Sequence, residues 1–220
     1  MAGGEEQPQT WHHGIVARWW AEFNVDGPEI PYFQKFIADE GQPALDLACG
    51  TGRLLIPYLR AGLDVDGCDV SPDMLALCRE RAEAEGLSPK LFAQAMHELE
   101  LPRRYRTVVV CGGFGLGANR AQGFESLRRI YEHLEPGGVL LLDNDPLAQS
   151  VTIEMRADMW RNGVHEGEEH VLRMSLYFTP ELVSLLERAG FDDIMLRGDY
   201  TDEEPNADTD FVVFIARKAA

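Results

Sequence analysis

The stretch Ala44-Leu45-Asp46-Leu47-Ala48-Cys49-Gly50-Thr51-Gly52-Arg53-Leu54 decides the reading of this chain. A short apolar strand runs into a glycine-rich turn, and the turn opens a helix. Glycine lets a backbone approach a ligand closely, because a Cβ would collide or forbid the turn. The next apolar run, 64–69, ends in Asp69. An acid about 20 residues beyond such a turn can accept both hydroxyls of a ribose. Strand, glycine turn, helix and distal acid together make a device for holding a nucleotide-like ligand.

Working outward, strands and helices alternate. The pattern predicts strand 44–48, helix 52–61, strand 64–69, helix 72–85 and strand 90–93. After a linking segment, 94–106, come strand 107–111, helix 121–134 and strand 138–143. Such alternation signals a parallel sheet covered on both faces. Thr107-Val108-Val109-Val110 and Val139-Leu140-Leu141-Leu142 are apolar throughout, as strands buried on both faces are. Ser71 before Pro72 is an N-cap with proline at the first helical position. Pro136, Gly137 and Gly138 stop the helix that precedes them. Thr179-Pro180-Glu181 opens a further helix, which closes at Gly190. Strands 191–196 and 210–216 follow, and the connection between them is too short for a crossover helix, so they pair antiparallel.

Two segments fall outside this scheme. Residues 10–24 read as a short amphipathic helix; Pro28 and Pro31 break the pattern, and Pro31 opens helix 32–39. In 150–178, apolar residues alternate with polar ones on both sides of Asn162-Gly163. That predicts an inserted β-hairpin with an apolar face laid on the domain, with a helix over 150–160 as the competing reading.

The 220 residues suit one domain, with 45% hydrophobic residues to fill its core. A net charge of −17 argues against a grip on nucleic acid and against an anionic membrane surface. No apolar run approaches the ~20 residues of a membrane span. Residues 1–9 are polar and acidic, unlike a signal or transit peptide, which points to a cytoplasmic protein. The four cysteines form no CxxC pair and read as buried free thiols. No His or Cys cluster has the spacing of a zinc site.

In order and spacing the motifs resemble those of class I S-adenosylmethionine-dependent methyltransferases, in the small-molecule branch. The resemblance runs from about residue 40 to the C-terminus. It is carried by Leu45 to Arg53, by Gly67-Cys68-Asp69-Val70-Ser71-Pro72-Asp73-Met74-Leu75, by Leu134-Glu135-Pro136-Gly137-Gly138 and by Ala189-Gly190-Phe191. It implies an α/β fold: a Rossmann-like, doubly wound seven-stranded sheet, mostly parallel with the last strand antiparallel, here with the inserted β-hairpin. It also implies S-adenosylmethionine as co-substrate and a small-molecule methyl acceptor. Asp46 would hold the cofactor's amino group, through water or backbone. Ala48, Gly50 and Gly52 would let the turn pass under the ligand, although the family often has glycine where Ala48 stands. Asp69 would accept the ribose hydroxyls, and Val70 and Met74 would flank the adenine. Ala95, Met96 and His97 fall where the adenine edge binds; the family often has aspartate in place of Ala95. Cys111, with Gly112 and Gly113, would lie beneath the sulfonium. Arg53 either reaches the cofactor carboxylate or pairs on the helix surface.

Other readings are weaker. A nicotinamide-dependent oxidoreductase needs G-x-G-x-x-G, and Leu55 stands at the third glycine. A non-catalytic cofactor-binding protein would need a decayed site, and the turn shows no decay. Asp143-Asn144 matches one element of the cation site of catechol-methylating relatives, but Cys111-Gly112-Gly113-Phe114 lacks the other carboxylate, so no metal is expected. The turn after that strand also lacks the motifs of nucleic-acid methyltransferases. The catalytic residues are open, with His12, His13, Asp143 and Asn144 as candidates: a histidine as a base, and the last two in strand-end hydrogen bonding or in contact with the acceptor. Residues 1–40 and 150–178 would form lids over the acceptor, and His165 and His170 are expected to be exposed. The chain is expected to be a monomer or a homodimer.

Overall fold

The computed structural model describes residues 10–145 and 150–220; residues 1–9, and with them the reading of that polar stretch, lie outside it. The elements in chain order are α1 (Gly14–Phe23), α2 (Glu29–Glu40), β1 (Ala44–Leu47), α3 (Leu55–Arg60), β2 (Val65–Asp69), α4 (Pro72–Ala84), β3 (Leu91–Ala93) and β4 (Tyr105–Val110). There follow α5 (Arg120–His133), β5 (Leu134–Asn144), β6 (Ser150–Arg161), β7 (Val164–Ser175), α6 (Thr179–Ala189), β8 (Asp192–Gly198) and β9 (Val212–Arg217). Seven strands form one sheet in the order β3-β2-β1-β4-β5-β9-β8. β1 to β5 pair in parallel, and β9 runs antiparallel to both β5 and β8. Among the described residues, no helix is long and apolar enough to cross a membrane.

Two apolar layers follow from the period of two along each strand. Leu45, Val108, Val110, Leu140, Leu142 and Phe214 face α5 and α6, where Leu127, Ile130, Leu182 and Leu186 meet them. Ala44, Val109, Val139, Leu141, Val213 and Ile215 face the other way, onto Phe33 and Ile37 of α2 and Leu55 and Tyr58 of α3. This is the doubly covered parallel sheet that the unbroken apolar runs predict.

The boundaries shift for local reasons. α2 begins at Glu29 rather than after Pro31, because a proline in the first turn removes an N–H that has no helical partner anyway. α3 starts at Leu55, since Gly50 and Gly52 hold left-handed backbone with φ of 54° and 82°. β5 begins at Leu134, four residues early; it pairs with Tyr105 across an irregularity in register before regular pairing resumes at Thr107.

Residues 150–175 form the hairpin, not a helix. Asn162 and Gly163 hold φ of 50° and 79°, the two left-handed positions of a type I′ turn. The hairpin is a separate two-stranded sheet. It joins the domain at its base, where Ser175 N–H donates to Gly115 O (3.0 Å) and Gly117 N–H donates to Arg173 O (2.9 Å). Its apolar face is laid down only near that base: Leu172 is buried, whereas Trp160 near the tip is 68% exposed. His170 is buried, against expectation, because its ring meets that of His13 edge to face (centroids 4.6 Å apart) and its Nε2 meets Glu168 (3.0 Å). His165 is exposed, as expected.

Gly123 of α5 marks a tight contact between layers. A Cβ there would stand 2.1 Å from the Tyr177 hydroxyl, on a fully buried ring. That hydroxyl is buried without a hydrogen-bond partner among the described residues. Gly123→Ala should therefore lower stability by roughly 1–3 kcal/mol despite its better helix propensity. Tyr177→Phe should remove most of that loss, as read by denaturant unfolding of the two single variants and the double variant.

Candidate functional site

The strand order reverses between β1 and β4, and at such a switch point the loops beyond the strand ends part to leave a crevice. A cavity of about 390 Å³ lies there. Its floor is the turn 48–51 with Asp46 and Asp69, and Trp11, His12 and Trp20 close it from one side. Ile153, Leu172 and Met174 of the hairpin close another.

The turn is held in left-handed backbone that only part of its sequence favours. Ala48 has φ 68°, where an L-residue costs ~1–2 kcal/mol relative to right-handed backbone. Its amide and that of Cys49 both donate to Cys68 O (2.7 and 3.0 Å), which pins the turn to β2. The methyl of Ala48 faces Gly113, where an added Cβ would come within 2.5 Å of it. Alanine in place of the family's usual glycine is thus matched by a glycine across the cavity floor. Gly50 lines the cavity. Gly52 does not: its missing side chain leaves room for Cys78 Sγ, 2.7 Å from where a Cβ would be, so it serves the packing of the turn on α4.

Asp69 ends β2 with both carboxylate oxygens engaged. Gly50 N–H donates to Oδ2 (2.9 Å) and Ser71 N–H donates to Oδ1 (2.8 Å). Each oxygen keeps a further lone pair for a donor in the cavity. Burial raises the pKa of this carboxyl, and the backbone donors pull against it. Val70 and Met74 continue the same wall, and Ala95, Met96 and His97 form the wall beyond β3. Gln122 Nε2 donates to His97 Nε2 (3.1 Å), which takes this side chain out of full exposure.

Asp46 is the unusual group. It is buried, and its Oδ2 has no hydrogen-bond partner among the described residues. Burial first, then the neighbouring Asp69, pushes its pKa up to about 7, with the Leu55 N–H opposing. A buried acceptor without a donor is costly and rare. On a cavity floor such an oxygen is free to accept from a cationic donor, which is what the ammonium end of S-adenosylmethionine offers. The residues present therefore fit that cofactor.

Arg53 forms a largely buried ion pair with Glu29 of α2 on the cavity wall, so it is paired within the structure and also faces the cavity. Glu29 gave no sign in the sequence, where an acid in a first helical turn is ordinary. Cys111 also lines the cavity; its thiol donates to Asp143 Oδ2 (3.1 Å), and burial raises its pKa. Asp143 further accepts from Gly112 N–H (2.6 Å) and from the Tyr200 hydroxyl (2.6 Å), and Asn144 Nδ2 donates to Tyr177 O (2.7 Å). Neither residue lines the cavity, so of their two roles the structure displays strand-end hydrogen bonding. Among the described residues, no group of three His, Cys, Asp or Glu side chains is placed to hold a metal.

His12 lines the cavity and His13 does not. Trp11 Nε1 donates to His12 Nε2 (3.2 Å), which leaves the ring proton on Nδ1. Burial and the adjacent His13 lower the His12 pKa to about 4, so the ring is neutral at pH 7 and a weak base. The helix behind it is capped by other elements, since His13 provides no side-chain cap. Gly14 N–H donates to Asp73 Oδ2 and Ile15 N–H to Glu168 Oε2, both at 2.8 Å. The Ser71 hydroxyl donates to the His12 carbonyl.

Two outcomes check this geometry. Gly113→Ala should destabilise the protein by roughly 1–3 kcal/mol, and the cost should shrink when Ala48→Gly is present, a coupling of about 1 kcal/mol in a double-mutant cycle. Asp46 holds its proton more tightly folded than at its ordinary value of 3.8, so its burial penalty grows as pH climbs toward 7 and is complete above that. Asp46→Asn should accordingly raise the melting temperature of the cofactor-free protein more at pH 8 than at pH 5; an equal gain at both would contradict the assignment.

Residues 44–138 match the methyltransferase-domain family. A candidate methyltransferase of Geobacillus sp. (strain WCH70) is 28% identical over 209 residues, spanning 79% of this chain and 83% of its own. A ubiquinone biosynthesis O-methyltransferase of Cereibacter sphaeroides (strain ATCC 17025 / ATH 2.4.3) is 28% identical over 186 residues, 81% of this chain and 69% of its own. The crystal structure of the glycopeptide N-methyltransferase MtfA complexed with S-adenosylmethionine superposes with a TM-score of 0.65 at 25% identity, covering 89% of this chain and 96% of that one. With the sheet order, the glycine turn and Asp69 in place, the match over residues 44–138, the relatives and the solved structure together support a class I S-adenosylmethionine-dependent methyltransferase.

Proposed function

We propose that this methyltransferase alkylates a small molecule whose reacting group sits against an apolar surface. The observation that carries this is the composition of the cavity's walls. The carboxylates gather on the floor, while α1 and the hairpin bring Trp20, Ile153, Leu172 and Met174 over the strand ends. An opening bounded by a helix and a hairpin base suits a compact acceptor better than a polymer, and the net charge of −17 disfavours nucleic acid.

In this reading Asp69 holds the ribose and Asp46 the ammonium, and the turn 48–51 presents backbone close beneath the ligand. The bound cofactor supplies a methyl group already activated on a sulfonium. The protein's part is then alignment and exclusion of water, effects that together supply up to roughly 7–11 kcal/mol. Gly112 and Gly113, with Cys111, leave the space over the end of β4 free of bulk. His12, held neutral and already accepting from Trp11, is a weak proton acceptor, which favours an acceptor that arrives with its lone pair available.

The relatives support a small acceptor and differ on which one: one serves ubiquinone biosynthesis by O-methylation, another methylates nitrogen in a glycopeptide. The walls that would choose the acceptor belong to α1 and the hairpin, outside the matched residues 44–138.

Thermal shift with S-adenosylmethionine, S-adenosylhomocysteine and NADH tests the cofactor assignment. The first two should raise the melting temperature, since a ligand at 100 times its Kd stabilises by about 2.7 kcal/mol, and NADH should not. Asp69→Asn should weaken S-adenosylmethionine binding about 10- to 100-fold, the range expected for hydrogen bonds to a charged group. Unchanged affinity would remove Asp69 from the ribose site.

A further inference from the structure

We propose that this protein takes up its cofactor in exchange for a proton, Asp46 being protonated in the cofactor-free protein and losing its proton to solvent when the α-ammonium of the ligand reaches Oδ2. The inference rests on S-adenosylmethionine being the ligand and goes beyond it. Family membership specifies a methyl donor; it does not specify the protonation state of the floor that receives it.

The argument begins with what surrounds Asp46. In the sheet it pairs with Gly67 of β2 and Val109 of β4, so neither neighbouring strand offers it a side-chain donor. Tyr58 of α3 is fully buried close by, and its hydroxyl has no hydrogen-bond partner among the described residues, so it does not donate to Asp46. Cys49 in the turn and Cys111 at the end of β4 are thiols that feel the Asp46 charge and are themselves held protonated. Arg53, the cation on this wall, is paired with Glu29 of α2. Asp69 is the charged neighbour, and its sign is the wrong one. The Leu55 N–H is a donor that opposes these effects.

Two buried carboxylates facing one cavity, with the nearby guanidinium already engaged, are most stable when one of them is neutral. Asp69 accepts from the Gly50 and Ser71 amides, which favours its ionised form. Asp46, with Oδ2 unpartnered, is the one that holds the proton. A cationic ligand reverses the balance: an ammonium at Oδ2 stabilises the carboxylate and the proton departs. No bond other than the O–H of Asp46 changes, and charge is conserved because the arriving ammonium replaces the departing proton on the cavity floor.

The linkage has a sign. A carboxyl with its pKa raised to about 7 must be deprotonated before it can pair, so binding is penalised at low pH and freed as pH rises. Between pH 5.5 and 7.0, where the ligand's own α-amino group stays protonated, affinity should rise about tenfold.

Isothermal titration calorimetry of the 220-residue protein at pH 6, in two buffers of different ionisation enthalpy, counts the protons. S-adenosylmethionine and S-adenosylhomocysteine should each release close to one proton. 5′-Methylthioadenosine, which keeps the adenosine and lacks the amino-acid arm, should release almost none. Asp46→Asn should bind the first two without release and with affinity nearly flat in pH. Binding of S-adenosylmethionine with no proton released would overturn the inference and leave the cofactor assignment standing, whereas failure of all three ligands to bind would overturn the cofactor assignment itself. Equal release by 5′-methylthioadenosine would move the proton to Asp69. If Asp46→Asn does not fold, the comparison of the three ligands on the unaltered protein decides.

Discussion

The carboxylate of Asp69 is the joint on which the site turns. One oxygen takes the Gly50 amide and so fixes the glycine turn; the other takes the Ser71 amide and so fixes the start of α4. Ser71 in turn caps α4 through Met74 N–H (3.2 Å) and gives its hydroxyl proton to the carbonyl of His12. One acid at the end of one strand thereby sets the floor of the cavity, the direction of a helix and the seat of the segment that closes the cavity. Burial makes this costly for a charged group, and charge-assisted hydrogen bonds from backbone amides offset that cost.

The same economy shapes the opposite wall. Asp143 gathers Gly112 N–H, the Cys111 thiol and the Tyr200 hydroxyl, and Tyr200 packs on Phe33 of α2 (ring centroids 5.7 Å). The ends of β4 and β5, the loop between β8 and β9, and α2 are thus tied together behind the cavity. An aspartate with three donors has little left for catalysis, and its contribution is to hold the Gly112-Gly113 backbone still.

What was legible in the sequence was what short-range physics dictates. Alternation of strand and helix, apolar runs such as Val108-Val109-Val110, the Ser71-Pro72 cap and the left-handed pair Asn162-Gly163 each report on neighbours in the chain. The order and spacing of motifs then singled out Asp46, Asp69 and the turn between them. What stayed hidden depends on distant residues meeting. Nothing near Glu29 announces that Arg53 will lie against it. Nothing around His170 signals that His13, more than a hundred residues away, will cover its ring and bury it. Gly52 looked like a ligand glycine, and nothing in the sequence told that it also makes room for Cys78. Ala48 looked like a departure from pattern, and its explanation lies across the cavity at Gly113. The hairpin was readable as a hairpin, but its attachment through Gly115 and Gly117 was not, since alternation says which face is apolar and not how far it is covered.

The first two amides of α1 are shared between elements that are otherwise separate: Gly14 bonds to Asp73 on α4, and Ile15 bonds to Glu168 on the hairpin. Arg18 adds an ion pair to Glu166 on the same strand (3.1 Å). A hinge placed on either side of α1 would have to break a charge-assisted bond to one of its two supports. The helix therefore behaves as a keystone rather than a door. Two walls of the cavity, contributed by segments that lie far apart in the chain, are thereby joined, and a displacement of one pulls on the bonds that hold the other.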